Sequence, residues 1–139
     1  MQEALVQHYL NRAVDMFDAM ILLQEDQAFR NSSALLAIHS AISYSDALRA
    51  GLGDEKLAAD GHDKAADALQ ALVARYPQHG SGISHLRFLL SRKNVVAYSA
   101  KRMEHSDYES LFTRAGRFAK WADATARELK IAGWKYEDR

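Results

Sequence analysis

Ser33-Ala34-Leu35-Leu36-Ala37-Ile38-His39-Ser40-Ala41-Ile42-Ser43-Tyr44-Ser45-Asp46-Ala47-Leu48 decides the fold of this chain. Leu35, Ile38, Ile42 and Leu48 recur at helical steps, and no polar residue alternates with them as a half-buried strand requires. Asn31 and Ser32 stand where a helix N-cap is expected, and Gly51-Leu52-Gly53 supplies the stop. Upstream, Val6, Leu10, Ala13, Phe17 and Met20 form one face of a first helix, with Gln7, Asn11, Asp15 and Asp18 opposite. Downstream, a shorter helix is predicted from about Asp63 to Tyr76, ended by Pro77. A fourth runs from Ile83 through Leu86, Leu89, Leu90 and Val96 to about Lys101. Ser106 and Glu109 make a capping box for the last helix, which buries Tyr108, Leu111, Phe112, Ala115, Phe118, Ala122 and Leu129 and breaks near Gly133. The expected fold is all-α: an up-and-down bundle of four long helices plus one short one. It forms a single domain over residues 1–139, with 130–139 as a frayed tail.

Composition agrees. The 139 residues are 48% apolar and 26% charged, which opposes disorder. A chain of this mass folds to roughly 7,000 Å² of surface from roughly 23,000 Å², enough for one core. No purely apolar run is longer than that of Ala19 to Leu23, too short to cross a membrane, and Met1-Gln2-Glu3-Ala4 lacks the basic flank of a secretory signal. With no cysteine there is neither a disulfide framework nor a thiolate metal site. These readings predict a cytoplasmic protein without a membrane partner.

Two polar features interrupt the apolar faces. His39, Ser43 and Asp46, at i, i+4 and i+7, form one line on the deciding helix. A hydrolytic triad is opposed by the order along one face and by the lack of a nucleophile elbow. A structural hydrogen-bonded line facing a basic helix, such as the Lys93 region, is the better reading. Removing the Asp46 carboxylate is then expected to cost about 1–3 kcal/mol. The second feature is charge. Net charge is zero, yet residues 82–103 carry Arg87, Arg92, Lys93, Lys101 and Arg102 with no acid. Residues 1–30 and 54–67 each carry five acids and two bases. The basic run is either a solvated face paired with those segments or an anion site. Lys93 falls within a stripe of Leu86, Leu90, Ala97 and Ala100, beside Leu89, Val96 and Met103. A lysine there snorkels, pairs with a carboxylate or lines a cleft.

Other chemistries find little footing. There is no Glu-x-x-His pair for a di-iron bundle, and His62-Asp63 and His85 stand apart from any zinc set. Gly51-Leu52-Gly53 and Gly80-Ser81-Gly82 lack the preceding strand of a phosphate loop. Trp121 and Trp134 read as edge and tail packing. No metal and no cofactor are expected.

Leu89-Leu90-Ser91-Arg92-Lys93-Asn94-Val95-Val96-Ala97-Tyr98 resembles the signature helix of the HEPN family, small helical bundles named for nucleotide binding in higher eukaryotes and prokaryotes. Residues 33–48 resemble that family's small-residue helix, and Phe112 to Ala126 its closing helix; the resemblance spans roughly 5–130. In many HEPN ribonucleases the signature is an arginine, often followed directly by a polar residue, then a histidine four to six residues further on. The resemblance implies that two copies meet across a cleft and cleave RNA there without metal. Here Lys93 replaces the arginine, Asn94 keeps the polar position and Tyr98 replaces the histidine; taking Arg92 as the arginine leads to the same Tyr98. A phenol, with a pKa of about 10, is a poor proton acceptor at neutral pH where an imidazole is a good one.

The resemblance therefore implies a noncatalytic or regulatory homodimer that binds RNA, a nucleotide or a partner protein. The anion-binding candidates are Arg87, Arg92, Lys93, Asn94, Tyr98 and Arg102. The partner classes it implies include a cognate antitoxin or a nucleotidyltransferase. One alternative is a metal-independent ribonuclease toxin of a toxin–antitoxin or defence system, using Arg92, Lys93, Asn94 and Tyr98. Another is a plain helical interaction module.

Overall fold

The computed structural model describes residues 2–57, 61–76 and 79–136, and every regular element among them is helical. The elements are α1 (Gln2–Leu23), α2 (Arg30–Gly51), α3 (Ala65–Val73), α4 (Ile83–Ser91), α5 (Lys93–Tyr98) and α6 (His105–Glu128), with 3₁₀ turns at Gln27–Phe29 and His62–Lys64. No helix among the described residues is long and apolar enough to cross a membrane. Pro77, the expected stop of the third helix, lies outside the described residues.

α2 is the central element and touches all five other helices. It can do so because its faces are small: Ala34, Ala37, Ser40, Ala41, Ala47 and Ala50 are all buried. Two buried serines tie it to α1 main chain, Ser33 Oγ donating to the Met20 carbonyl (3.0 Å) and Ser40 Oγ to that of Ala13 (2.7 Å). The paired numbers run in opposite senses, so α1 and α2 are antiparallel. α1 buries its five expected residues, Val6, Leu10, Ala13, Phe17 and Met20. Tyr108 meets Ser33 and Ile131 lies against Gly51, so α6 runs parallel to α2. Gly82 lies under Trp121 and His85 beside Arg114, so α4 runs against α6. The long elements α1, α2, α4–α5 and α6 thus alternate in direction, and short α3 is the fifth.

Several sequence expectations need correction. The fourth helix is interrupted at Arg92 and ends at Tyr98. Ser91 Oγ donates to the Phe88 carbonyl (2.6 Å), the acceptor that a regular helix would offer to the Arg92 N–H. The Arg92 N–H instead bonds Leu89 O (3.1 Å), and the ladder resumes with Val96 N–H to Arg92 O (3.0 Å). Ala97 and Ala100 are exposed, so the stripe assigned to them ends at Leu90. Asn31 and Ser32 do not cap α2, which continues from the Gln27–Phe29 turn capped by Asp26. Asn31 clamps the α5–α6 connection instead, giving Nδ2 to Lys101 O (2.8 Å) and accepting the Met103 N–H on Oδ1 (2.6 Å). The Ser106–Glu109 capping box is absent. α6 starts two residues earlier, after Glu104 and without a side-chain cap, and Glu109 pairs with His105 (3.1 Å).

The tail does not fray as far as residue 134. Lys130 adopts a left-handed φ of 54°, and the Ile131 N–H closes on Ala126 O (3.0 Å), a Schellman-type ending. Ile131 then packs so closely on Gly51 that any side chain there would overlap it. Trp134 is 6% exposed, stacks on Tyr44 and donates from Nε1 to Asp123 Oδ1 (2.9 Å). Residues 137–139 lie outside the described residues.

Candidate anion-binding site

Lys93 is half-buried at the start of α5, and its Nζ lies 3.1 Å from Nδ1 of His62 in the second 3₁₀ turn. An ammonium has only donors, so Nδ1 accepts and the ring proton sits on Nε2. The His62 ring in turn meets that of His39 on α2 edge to face, with centroids 6.3 Å apart. His62 therefore sits beside the middle of α2, and α3 begins there.

Burial pushes the His39 imidazole below its usual pKa, and the charges of Lys93, His62 and Arg12 push it further. Burial likewise lowers His62, aided by Lys93 and Arg12 and opposed by Asp63. Arg12, from α1, thus acts on both rings. Four basic side chains from four elements interact, and burial first, then the two fixed cations, disfavours the charged form of both imidazoles. No carboxylate among the described residues lies within ion-pair distance of Lys93 or Arg12.

The remaining sequence candidates do not gather around Lys93. Arg87 is neutralised at home, pairing with Asp67 (2.8 Å) and bonding Gln70, both on α3. Arg92 lies over the Phe88 ring at 5.2 Å, which Arg114 also faces at 4.7 Å. Asn94, Tyr98 and Arg102 are exposed, and Tyr98 is 84% so. Five residues separate Tyr98 from Lys93, which places them well apart around the helix axis. The basic segment therefore divides into an internally paired part at Arg87, an outward part at Asn94 and Tyr98, and a converging part at Lys93.

His39, Ser43 and Asp46 stand at helical spacing along α2, and the charge of Lys93 acts on His39. They do not form a hydrogen-bonded line, however: no hydrogen bond joins them to each other or to Lys93 among the described residues. Burial raises the Asp46 carboxyl to about 6, against the opposing pull of Arg49 and Arg12.

Sequence reasoning missed Arg12 and His62. His62 is isolated in sequence, and only a tertiary contact 31 positions apart brings it to Lys93. Arg12 sits on the polar side of an amphipathic helix, where a basic residue carries no signal. No group of three or more potential metal ligands occurs among the described residues. Comparison with family models, curated proteins and solved structures finds no match to the chain.

Proposed function

We propose that the chain is a noncatalytic, homodimeric HEPN-like protein that holds RNA or a nucleotide by its phosphate at the basic cleft around Lys93. The observation that carries this reading is the Lys93–His62 contact. A half-buried ammonium gives its hydrogen bond to a neutral imidazole, with Arg12 nearby and no carboxylate paired to either cation. Such an uncompensated field is attractive to phosphate and falls off with salt. The exposed Val95 and Tyr98 on the outer side of α5 favour a second copy docking there, as the resemblance implies. The exposed Tyr98 phenol, turned away from Lys93, favours binding over cleavage.

Fluorescent single-stranded RNA tests this, with binding and integrity followed together in metal-free buffer. Salt-sensitive binding without cleavage is expected. Rapid cleavage abolished by Tyr98→Phe would establish the ribonuclease alternative. Absence of binding to RNA and nucleotide at low salt would leave a plain interaction bundle.

A further inference from the structure

We propose that the Lys93 site selects a terminal phosphate, a phosphomonoester dianion as found on a nucleotide or an RNA 5′ end, and takes up a proton on His39 or His62 as it binds. This rests on the phosphate-binding reading above and specifies its ligand.

The first ground is the number and origin of the donors. Arg12 comes from α1, His39 from α2, His62 from the 3₁₀ turn and Lys93 from α5. An internal phosphodiester offers one charge and two free oxygens to such a cluster. A terminal phosphate offers three oxygens and a charge of about −1.5 to −2 at pH 7. Arg12 and Lys93 already supply two fixed positive charges, so a diester would leave one of them unmatched and a dianion would match both.

The second ground is the state of the two rings. His62 accepts from Lys93 on Nδ1 and can point an N–H outward only from Nε2. His39 is half-buried, with Lys93 and Arg12 acting on it from α5 and α1. Asp63 acts on His62 from its own turn and opposes those cations only partly. Asp46, one helix turn beyond Ser43 on α2, faces Arg12 and Arg49, and burial disfavours its charged form. Asp46 acts on neither ring, and Asp63 is outweighed by burial and the two cations, so the free protein disfavours an imidazolium at either position. A bound dianion reverses the local field and does so. It also draws Lys93 toward itself and frees His62 Nδ1 to take a proton. Binding and protonation then reinforce one another by linkage. Affinity should rise as pH falls from 8 toward about 6 and decline below, where the phosphate dianion itself takes up a proton and becomes a monoanion.

Titration calorimetry at pH 7.5 and low salt, in two buffers of different ionisation enthalpy, measures both parts. The probes are adenosine 5′-monophosphate, adenosine, the dinucleoside monophosphate ApA, and an oligoadenylate RNA with or without its 5′-phosphate. The monophosphate should bind at least about tenfold more tightly than ApA, the gain of one or two charge-assisted hydrogen bonds. It should take up a measurable fraction of a proton. The 5′-phosphorylated RNA should show the same preference over its 5′-hydroxyl form if RNA ends are accepted; preference confined to the mononucleotide would assign the site to nucleotides. Joint replacement His39→Gln and His62→Gln should abolish proton uptake and preference while helical content and melting remain intact. Equal affinity for ApA, or binding with no proton uptake, overturns the proposal and leaves general phosphate binding standing. Failure of every probe to bind overturns both.

Discussion

Arg49 is 1% exposed and donates from Nε to Asp54 Oδ2 at 2.6 Å, closing the end of α2 onto the segment that follows it. Asp54 also accepts the Lys56 N–H (2.9 Å), so one carboxylate holds a buried guanidinium and shapes a turn. Burial alone would raise the Asp54 carboxyl, but the hydrogen bond from Arg49 and that from Lys56 outweigh it and hold it below the usual carboxylate range. Removing the carboxylate takes a charge-assisted hydrogen bond from a buried guanidinium and the turn's Lys56 contact with it, so Asp54→Ala should cost about 1–3 kcal/mol by urea titration. The pair's pH contribution is present above pH about 4 and lost as pH falls through the lowered Asp54 value.

Asp46 has the opposite sign. Its carboxyl is raised to about 6, so between the unfolded value and 6 the folded state binds the extra proton. Stability from this group therefore falls as pH rises from about 4 through 6. Asp46→Asn should stabilise the protein at pH 7.5 by about 2–3 kcal/mol and flatten that part of the profile, as melts at pH 5 and 7.5 would show. This reverses the expectation drawn from a hydrogen-bonded line. Asp46 makes no such bond among the described residues, so its removal relieves a buried charge.

Two bases in the same segment should behave differently toward RNA. Lys93→Ala should weaken binding across sequences and flatten the log–log salt dependence by about one unit. Arg87→Ala should leave that slope unchanged, because its guanidinium is already matched by Asp67 on α3. Binding titrations at several salt concentrations decide this.

The proposed dimer predicts a mass near twice 15.6 kDa by light scattering at micromolar concentration. Tyr98 is 84% and Val95 60% exposed, so charge at either position costs a monomer little. Tyr98→Asp should return the mass to the monomer value with the melting temperature unchanged. A wild-type mass of one chain at every concentration would refute the dimer.

Much of the fold was legible because burial follows helical periodicity closely in α1 and α6. Val6 to Met20 and Tyr108, Leu111, Ala115, Phe118 and Ala122 are buried as the spacing requires. The ends were less legible, since side chains that suit caps also suit other work. Asn31 holds the 101–103 connection, and Ser91 diverts a main-chain bond and breaks the fourth helix. Lys93 could be identified as a lysine in need of a partner, but not its partner, because no periodicity describes residues 52–61.

The Schellman ending and the docking of Ile131 and Trp134 have a topological consequence. Gly133, at φ 88°, approaches the main chain of Glu3 so closely that a Cβ would lie 2.7 Å from its carbonyl oxygen. Between these residues the chain is a nearly closed circuit, and its closure lies at the Gly51 end of α2. The Asn31 clamp lies at the other end, roughly 30 Å away for a helix of 22 residues. A covalent bond across that closure would remove entropy from the unfolded chain while asking little movement of the folded one. Ring closure would therefore raise the resistance of the whole bundle to unfolding without touching the surface around Lys93.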